Sequence, residues 1–189
     1  MSDLDVRALL ALYGGAHGNL AALMTAATLV GQGWSALLLL PMLWVARTRR
    51  FAGLLTAAIV AQAVIVWAMK AAIGRVRPWI ALGLPEPVGA PHDFSFPSGH
   101  AAGSFCLAAF LVLTLPVAWP ASPRWARAVG LAAFAYAALV AASRVYLGAH
   151  FPSDVIFGAL LGAAIGSAAG LAYIRRTPFA RVEDATESG

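Results

Sequence analysis

The sequence has few charged residues and almost no cysteine. Charged residues make up 11% of its 189 residues, whereas a soluble domain has roughly 25%. The single cysteine, Cys106, excludes a disulfide within the chain, and its position inside an apolar run favours a small buried hydrophobe. Hydrophobic residues reach 61%. This balance excludes an ordinary soluble enzyme and predicts a protein of the lipid bilayer.

Several other features are also missing. The N-terminus, MSDLDVRALLALYGGAHGN, opens with two acids instead of a positive segment, so we expect no removable signal peptide. The sequence has no repeat and no low-complexity linker, and we therefore expect one membrane-embedded domain over residues 1–189. The pI near 10.1 would suit nucleic-acid binding. Because the basic residues lie at the ends of apolar runs, we expect no nucleic-acid partner.

Apolar runs long enough to cross a bilayer, about 20 residues, predict an all-α bundle of five transmembrane helices. The predicted spans are 28–46, 51–70, 100–116, 126–142 and 152 to the YIRR sequence at 173–176. Residues 6–27 are apolar but are broken by GGAHGN. We therefore expect residues 1–27 to form interfacial or partly inserted helices.

Basic residues predict the orientation of the bundle. Five spans place three basic segments on one face: Arg47, Arg49 and Arg50; Arg124 and Arg127; Arg175, Arg176 and Arg181. The positive-inside rule makes that face, and the tail 175–189, cytoplasmic. The opposite, extracytoplasmic face receives a second polar set: Lys70, Arg75, Arg77, His100, Arg144, His150 and Asp154. Charge concentrated on that face indicates a functional site.

The first polar segment of this face is KAAIGRVRP. Lys70 and Arg77 are seven residues apart, about two helical turns, so both are predicted on one side of a helix end that Pro78 stops. The alternative is that both side chains only reach toward lipid headgroups.

The second segment is FSFPSGHAAGSF, where a turn meets the start of a helix. Pro97, Ser98 and Gly99 form the turn, so free N–H groups predict an anion site, with Ser98 able to cap or donate. Gly99 allows close approach of a ligand, and His100 in the first turn is a candidate proton donor. The alternative is a loop followed by an interfacial histidine.

The third segment, SRVYLGAHFPSD, joins two spans. Arg144 ends one span, and His150 and Asp154 flank Pro152 at the start of the next. A carboxylate four residues from an imidazole is able to accept its N–H, which leaves the other ring nitrogen free as a nucleophile or base. The alternative role of Asp154 is interaction with the helix dipole.

Together, the three segments resemble the type 2 phosphatidic acid phosphatase (PAP2) superfamily of membrane lipid phosphatases. Its signature is Lys-x6-Arg-Pro, Pro-Ser-Gly-His and Ser-Arg-x5-His-x3-Asp, and every fixed position is matched in order at 70–78, 97–100 and 143–154. The resemblance covers about residues 50–172.

The resemblance implies a set of roles. His150 is the nucleophile that forms a phosphohistidine, Asp154 orients it, and His100 protonates the leaving oxygen. The implied phosphoryl ligands are Lys70, Arg77, Arg144, Ser98 and Gly99. We expect no cofactor and no metal, because these cations neutralise the phosphoryl group and no residues around them have metal-ligand spacing.

The substrate is expected to be a lipid phosphate or diphosphate. The polyprenyl (undecaprenyl) diphosphate carrier of bacterial cell-wall synthesis is the leading candidate, and phosphatidic acid and phosphatidylglycerol phosphate are the others. We expect the bacterial plasma membrane as the location; no sequence feature indicates an oligomeric state.

Vanadium haloperoxidases share the motifs but resemble soluble proteins. A phosphotransferase with the same phosphohistidine and a non-enzymatic protein that binds anionic lipid are the remaining alternatives.

Overall fold

The computed structural model describes residues 2–15, 17–30, 40–87 and 92–177, and in these ranges the chain forms helices and no strands. The helices are α1 Asp3–Leu12, α2 Asn19–Val30, α3 Leu40–Trp44, α4 Arg49–Ile73, α5 Pro78–Ala81, α6 Gly99–Ala118, α7 Pro123–Tyr146 and α8 Pro152–Arg175. The all-α fold predicted from the apolar runs is confirmed.

Four stretches of the described chain are long and apolar enough to cross a membrane: 49–81, 99–118, 123–146 and 152–175. They are the last four predicted spans: the first three extend beyond their predicted ends, the 49–81 stretch by eleven residues at its C-terminal end, and the fourth has the predicted bounds. The protein is therefore an integral membrane protein. The middle of the predicted first span, 28–46, lies outside the described residues, while its two ends fall in α2 and α3. The break predicted within 6–27 separates α1 from α2.

One predicted helix end was wrong. Pro78 was expected to stop the helix of Lys70, but α4 ends earlier because Gly74 takes a left-handed conformation, with φ 63°, and its N–H bonds the Lys70 carbonyl at 3.0 Å. Pro78 instead occupies the first position of α5. Arg77 therefore lies in the connection between the two helices and not on the helix of Lys70.

Helices α6 and α8 form the closest contact of the bundle. A Cβ atom added at Gly158 would lie 2.5 Å from the Ser98 carbonyl oxygen, and one at Gly162 would overlap that of Ala102. Gly166 and Gly170 continue this stripe along α8. The close helix approach predicted from the glycine spacing is confirmed, and its partner is α6.

The two ends of the bundle differ in character. At one end, Phe51 contacts the rings of Phe110 and Tyr173 edge-on, at 5.0 and 5.8 Å. Beside them Arg50 donates to carbonyls of α8, including that of Tyr173 at 3.2 Å, as expected for a cation at a helix C-terminus. Because α4, α6, α7 and α8 alternate in direction, the ends of α4 and α7 and the starts of α6 and α8 meet at the opposite end.

Candidate active site

The end of the bundle opposite Arg50 brings together the polar residues of the three motifs. Lys70 lies in the last turn of α4, His100 in the first turn of α6 and Arg144 in the last turn of α7. His150 precedes α8, and Asp154 lies in its first turn. Most residues of the motifs are withdrawn from the surface, with 9% or less of the whole residue exposed: Lys70, Arg77, Ser98, Arg144, His150 and Asp154.

His150 is held between Arg77 and Asp154. Its Nε2 lies 3.1 Å from Arg77 Nη1, and its Nδ1 lies 3.7 Å from Asp154 Oδ2. Since arginine only donates, the contact at Nε2 requires that nitrogen to accept, which places the ring proton on Nδ1. The geometry therefore favours a neutral imidazole with its Nε2 lone pair toward the cations.

Burial reinforces the neutral state of His150. Its side chain is 1% exposed, and this desolvation lowers its pKa from 6.5 to about 3, although the neighbouring Asp154 opposes the change. A neutral imidazole carries the lone pair that a nucleophile needs.

The Asp154 carboxylate is fully buried and has several donors. Oδ2 accepts from Ser95 Oγ at 2.5 Å and from the Phe151 N–H at 2.9 Å, while Oδ1 accepts from Arg75 Nη1 at 2.6 Å. Ser95 Oγ also lies 3.4 Å from His150 Nδ1. The predicted pairing of His150 with Asp154 is thus supplemented by a serine that contacts both groups.

Lys70 and Arg77 share a carboxylate, that of Asp93. Lys70 Nζ lies 3.0 Å from Asp93 Oδ2, and Arg77 Nη2 binds Oδ1. Burial would raise the pKa of Asp93, but the hydrogen bonds from Arg77 and Lys70 outweigh it and hold the pKa below its ordinary value. The two predicted phosphate-binding cations thus converge on one anion, despite lying on different segments.

Arg144 and His100 complete the positive side of the site. Arg144 is 5% exposed, and its Nε has no hydrogen-bond partner among the residues that the structure describes. His100 is partly buried, and it lies within electrostatic reach of Arg144, Arg77 and Lys70. The arrangement is able to hold an anion near both histidines.

The turn before α6 is tied to α8. Ser98 is the N-cap of α6, and its Oγ accepts from the Ala101 N–H at 3.5 Å. The Ser98 N–H donates to the Asp154 carbonyl at 3.0 Å. Capping was one of the two roles predicted for Ser98.

Sequence reasoning missed four residues of this network: Asp5, Arg75, Asp93 and Ser95. Arg75 had a signal, since it lies within the first motif segment and was placed on this face of the bundle. Asp93 and Ser95 lie just before the Pro-Ser-Gly-His turn, which is their only signal. Asp5 had none.

Comparisons with known proteins point to one family. The sequence profile of the PAP2 superfamily matches residues 50–177, which include all three motifs. An undecaprenyl-diphosphatase of Sulfolobus acidocaldarius is 38% identical over 119 residues, 61% of this chain and 52% of that protein. Phosphatidylglycerophosphatase B of Bacillus subtilis is 38% identical over 94 residues, 50% of this chain and 44% of that protein. The matches thus span about half the length of these relatives.

The fold also resembles a solved structure. The crystal structure of a transmembrane PAP2-type phosphatidylglycerolphosphate phosphatase from Bacillus subtilis superposes with a TM-score of 0.80 at 25% identity. The superposition covers 93% of this chain and 87% of that one, so the likeness extends beyond the segment that carries the motifs.

Proposed function

Because the chain belongs to the PAP2 superfamily, we propose that it is a membrane lipid phosphatase that acts through a phosphohistidine. One observation carries the proposal: the buried His150 directs its Nε2 toward Arg77, at 3.1 Å, and its Nδ1 toward Asp154. Binding an anionic lipid needs the cations alone, whereas transfer through a phosphohistidine also requires an oriented imidazole beside them.

In the first step, His150 Nε2 attacks phosphorus and forms a P–N bond, while the bond from phosphorus to the leaving oxygen breaks. His100 gives its proton to that oxygen. Asp154 stabilises the positive ring through the proton on Nδ1. In the second step, His100 takes a proton from water, whose oxygen attacks phosphorus. The P–N bond breaks, inorganic phosphate is released, and His150 is restored.

The phosphoryl oxygens are held by the positive groups around the two histidines. Lys70 and Arg77 exchange the Asp93 carboxylate for phosphate oxygens, and Arg144 provides a third cation. Ser98 and the Gly99 amide at the start of α6 add donors. Each donor that strengthens in the transition state is worth about 3–4 kcal/mol, judged from oxyanion-hole deletions.

The substrate that we propose first is undecaprenyl diphosphate, followed by phosphatidylglycerol phosphate and phosphatidic acid. Support comes from the relatives: one is an undecaprenyl-diphosphatase and another a phosphatidylglycerophosphatase. A site at a helix end suits a substrate whose tail stays in the bilayer. We place the protein in the bacterial plasma membrane as one domain, with its site extracytoplasmic and its C-terminus cytoplasmic, on the positive-inside argument.

The test is phosphate release by detergent-purified protein from a panel of these three lipids, with EDTA present. The His150→Ala variant is the blank, and its folding is checked by thermal denaturation. Release by the wild type that disappears in His150→Ala supports the proposal, and the rates rank the substrates. Full activity of His150→Ala would refute the phosphohistidine, and activity that depends on added Mg²⁺ would refute the metal-independent mechanism.

A further inference from the structure

Helix α1 carries a buried carboxylate that reaches the site. Asp5 is 8% exposed. It accepts hydrogen bonds from Arg75 Nη2 at 2.5 Å, from Ser153 Oγ at 2.5 Å and from the Ser153 N–H at 3.0 Å. A helix-dipole role alone would leave this side chain in solvent, as Asp3 is in the same turn.

Arg75 connects Asp5 to the residues around the nucleophile. Its second terminal nitrogen, Nη1, donates to Asp154 Oδ1 at 2.6 Å and to Ser153 Oγ at 2.7 Å. The guanidinium also lies over the Phe151 ring, 4.2 Å from its centre. The planar guanidinium thus bridges two carboxylates, which lysine is not able to do in the same geometry.

The link reaches His150 through Asp154. One oxygen of Asp154 binds Arg75, and the other faces His150 Nδ1 at 3.7 Å. With Asp5 removed, Arg75 is free to turn fully toward Asp154 and draw its carboxylate away from the imidazole. Burial would raise the pKa of Asp5, but hydrogen bonds from Ser153 and Arg75 outweigh it and lower the pKa, so the anion persists at neutral pH.

The position of α1 does not depend on Asp5 alone. Leu9, one turn further along, is fully buried against Val145, Phe151 and Val155. This apolar contact anchors the helix, so loss of the Asp5 charge is expected to loosen the polar link without releasing α1.

We propose that Asp5 is a positioning residue: acting through Arg75, it fixes the Asp154 carboxylate and thereby the Nδ1–H form of His150. The inference rests on the proposed function for its catalytic meaning. It also extends the site to a helix that precedes the matched segment 50–177.

The experiment compares Asp5→Asn with a matched control, Asp3→Asn. Both carboxylates lie in the first turn of α1, so both substitutions change the helix dipole interaction equally, but Asp3 is exposed. Protein labelled with ¹⁵N-histidine has four ring systems to resolve, and the His150 signals are assigned by their loss in His150→Gln. The kcat and KM for undecaprenyl diphosphate are measured in the same detergent.

The proposal expects that Asp5→Asn shifts the His150 ring nitrogens toward mixed tautomers and lowers kcat about 10- to 100-fold, with KM within about twofold of wild type. Asp3→Asn should change neither. Arg75→Gln removes the same link between Asp5 and Asp154. It replaces Asp5→Asn as the test variant if Asp5→Asn does not fold. Adding Asp5→Asn to Arg75→Gln should cost little more, since both act on one path.

Two results would overturn the positioning role. One is a folded Asp5→Asn protein with unchanged His150 ring signals, and the other is an equal loss of kcat in Asp3→Asn. The ring signals do not depend on turnover. If they move while the wild type hydrolyses none of the three lipids, the proposed function fails and the positioning role stands.

Discussion

Replacing Asp93 with asparagine should make the protein bind phosphate more tightly. In the structure the Asp93 carboxylate lies on both Lys70 and Arg77, the two cations proposed to hold the substrate. Phosphate must therefore displace a carboxylate before it gains their charges. Asparagine keeps the side-chain shape and removes the competing charge.

The magnitude follows from how much solvent screens these pairs. The side chain of Asp93 is 51% exposed, although those of Lys70 and Arg77 are 11% and 1% exposed. Ion pairs open to solvent contribute about 0.2–1 kcal/mol each, so the two together contribute about 0.4–2 kcal/mol. This corresponds to a dissociation constant for phosphate lowered about 2- to 30-fold.

Inhibition by inorganic phosphate measures this binding without the chemical step. The inhibition constant is determined against hydrolysis of a lipid phosphate for wild type, Asp93→Asn and Glu86→Gln. Glu86 is the matched control. Like Asp93, it lies between α5 and α6 and its side chain is 51% exposed, but it lies near His92 instead of the two cations. An unchanged or weaker affinity in folded Asp93→Asn would refute the competition between Asp93 and phosphate.

Three further predictions concern Arg144, His150 and the contact of α6 with α8. Arg144→Ala should raise KM and lower kcat together, since Arg144 is expected to bind the phosphoryl group before and during transfer; a change in KM alone would contradict this. Burial lowers the pKa of His150 from 6.5 to about 3. Between these two pH values, the imidazole therefore takes up a proton when the protein unfolds. The unfolding free energy should therefore fall by up to about 1.4 kcal/mol per pH unit as the pH drops below 6.5, and comparison of thermal unfolding at several pH values should show a smaller slope in His150→Gln. Gly162→Ala should lower the unfolding free energy by about 1–3 kcal/mol, because its methyl group would overlap the Ala102 carbonyl. Gly53→Ala in α4 meets nothing within 4 Å and should leave the melting temperature unchanged or higher.

The spans were predictable because a bilayer imposes its own length on a helix. An apolar run of about 20 residues has few alternatives to crossing the membrane, and α6 and α8 begin within one residue of the expected positions. Capping signals helped, since Ser98 and Pro152 mark their starts. The end of α4 differs from the prediction because Gly74, in a left-handed conformation, ends the helix four residues before Pro78.

The motif residues were also found from local spacing, whereas the network around them was not. Lys70, His100 and His150 carry fixed separations from their neighbours in the sequence. Asp5 is 70 residues from Arg75 and 148 from Ser153, so no local pattern connects them. An acid near the start of a helix is commonplace, and only the packing of α1 shows that this one is buried.

The glycine stripe of α8 has a consequence for how the site adapts. Where α6 and α8 meet, peptide groups touch peptide groups, and the Ser98 N–H is bonded to the Asp154 carbonyl at 3.0 Å. The spacing between His100, in the first turn of α6, and His150, just before α8, is thus set by contact between backbones. Changes in bilayer thickness or in side-chain rotamers should therefore alter this spacing little. We therefore expect adaptation to larger or smaller headgroups at the exposed chain around Asp93, between α5 and α6, rather than at the contact of α6 with α8.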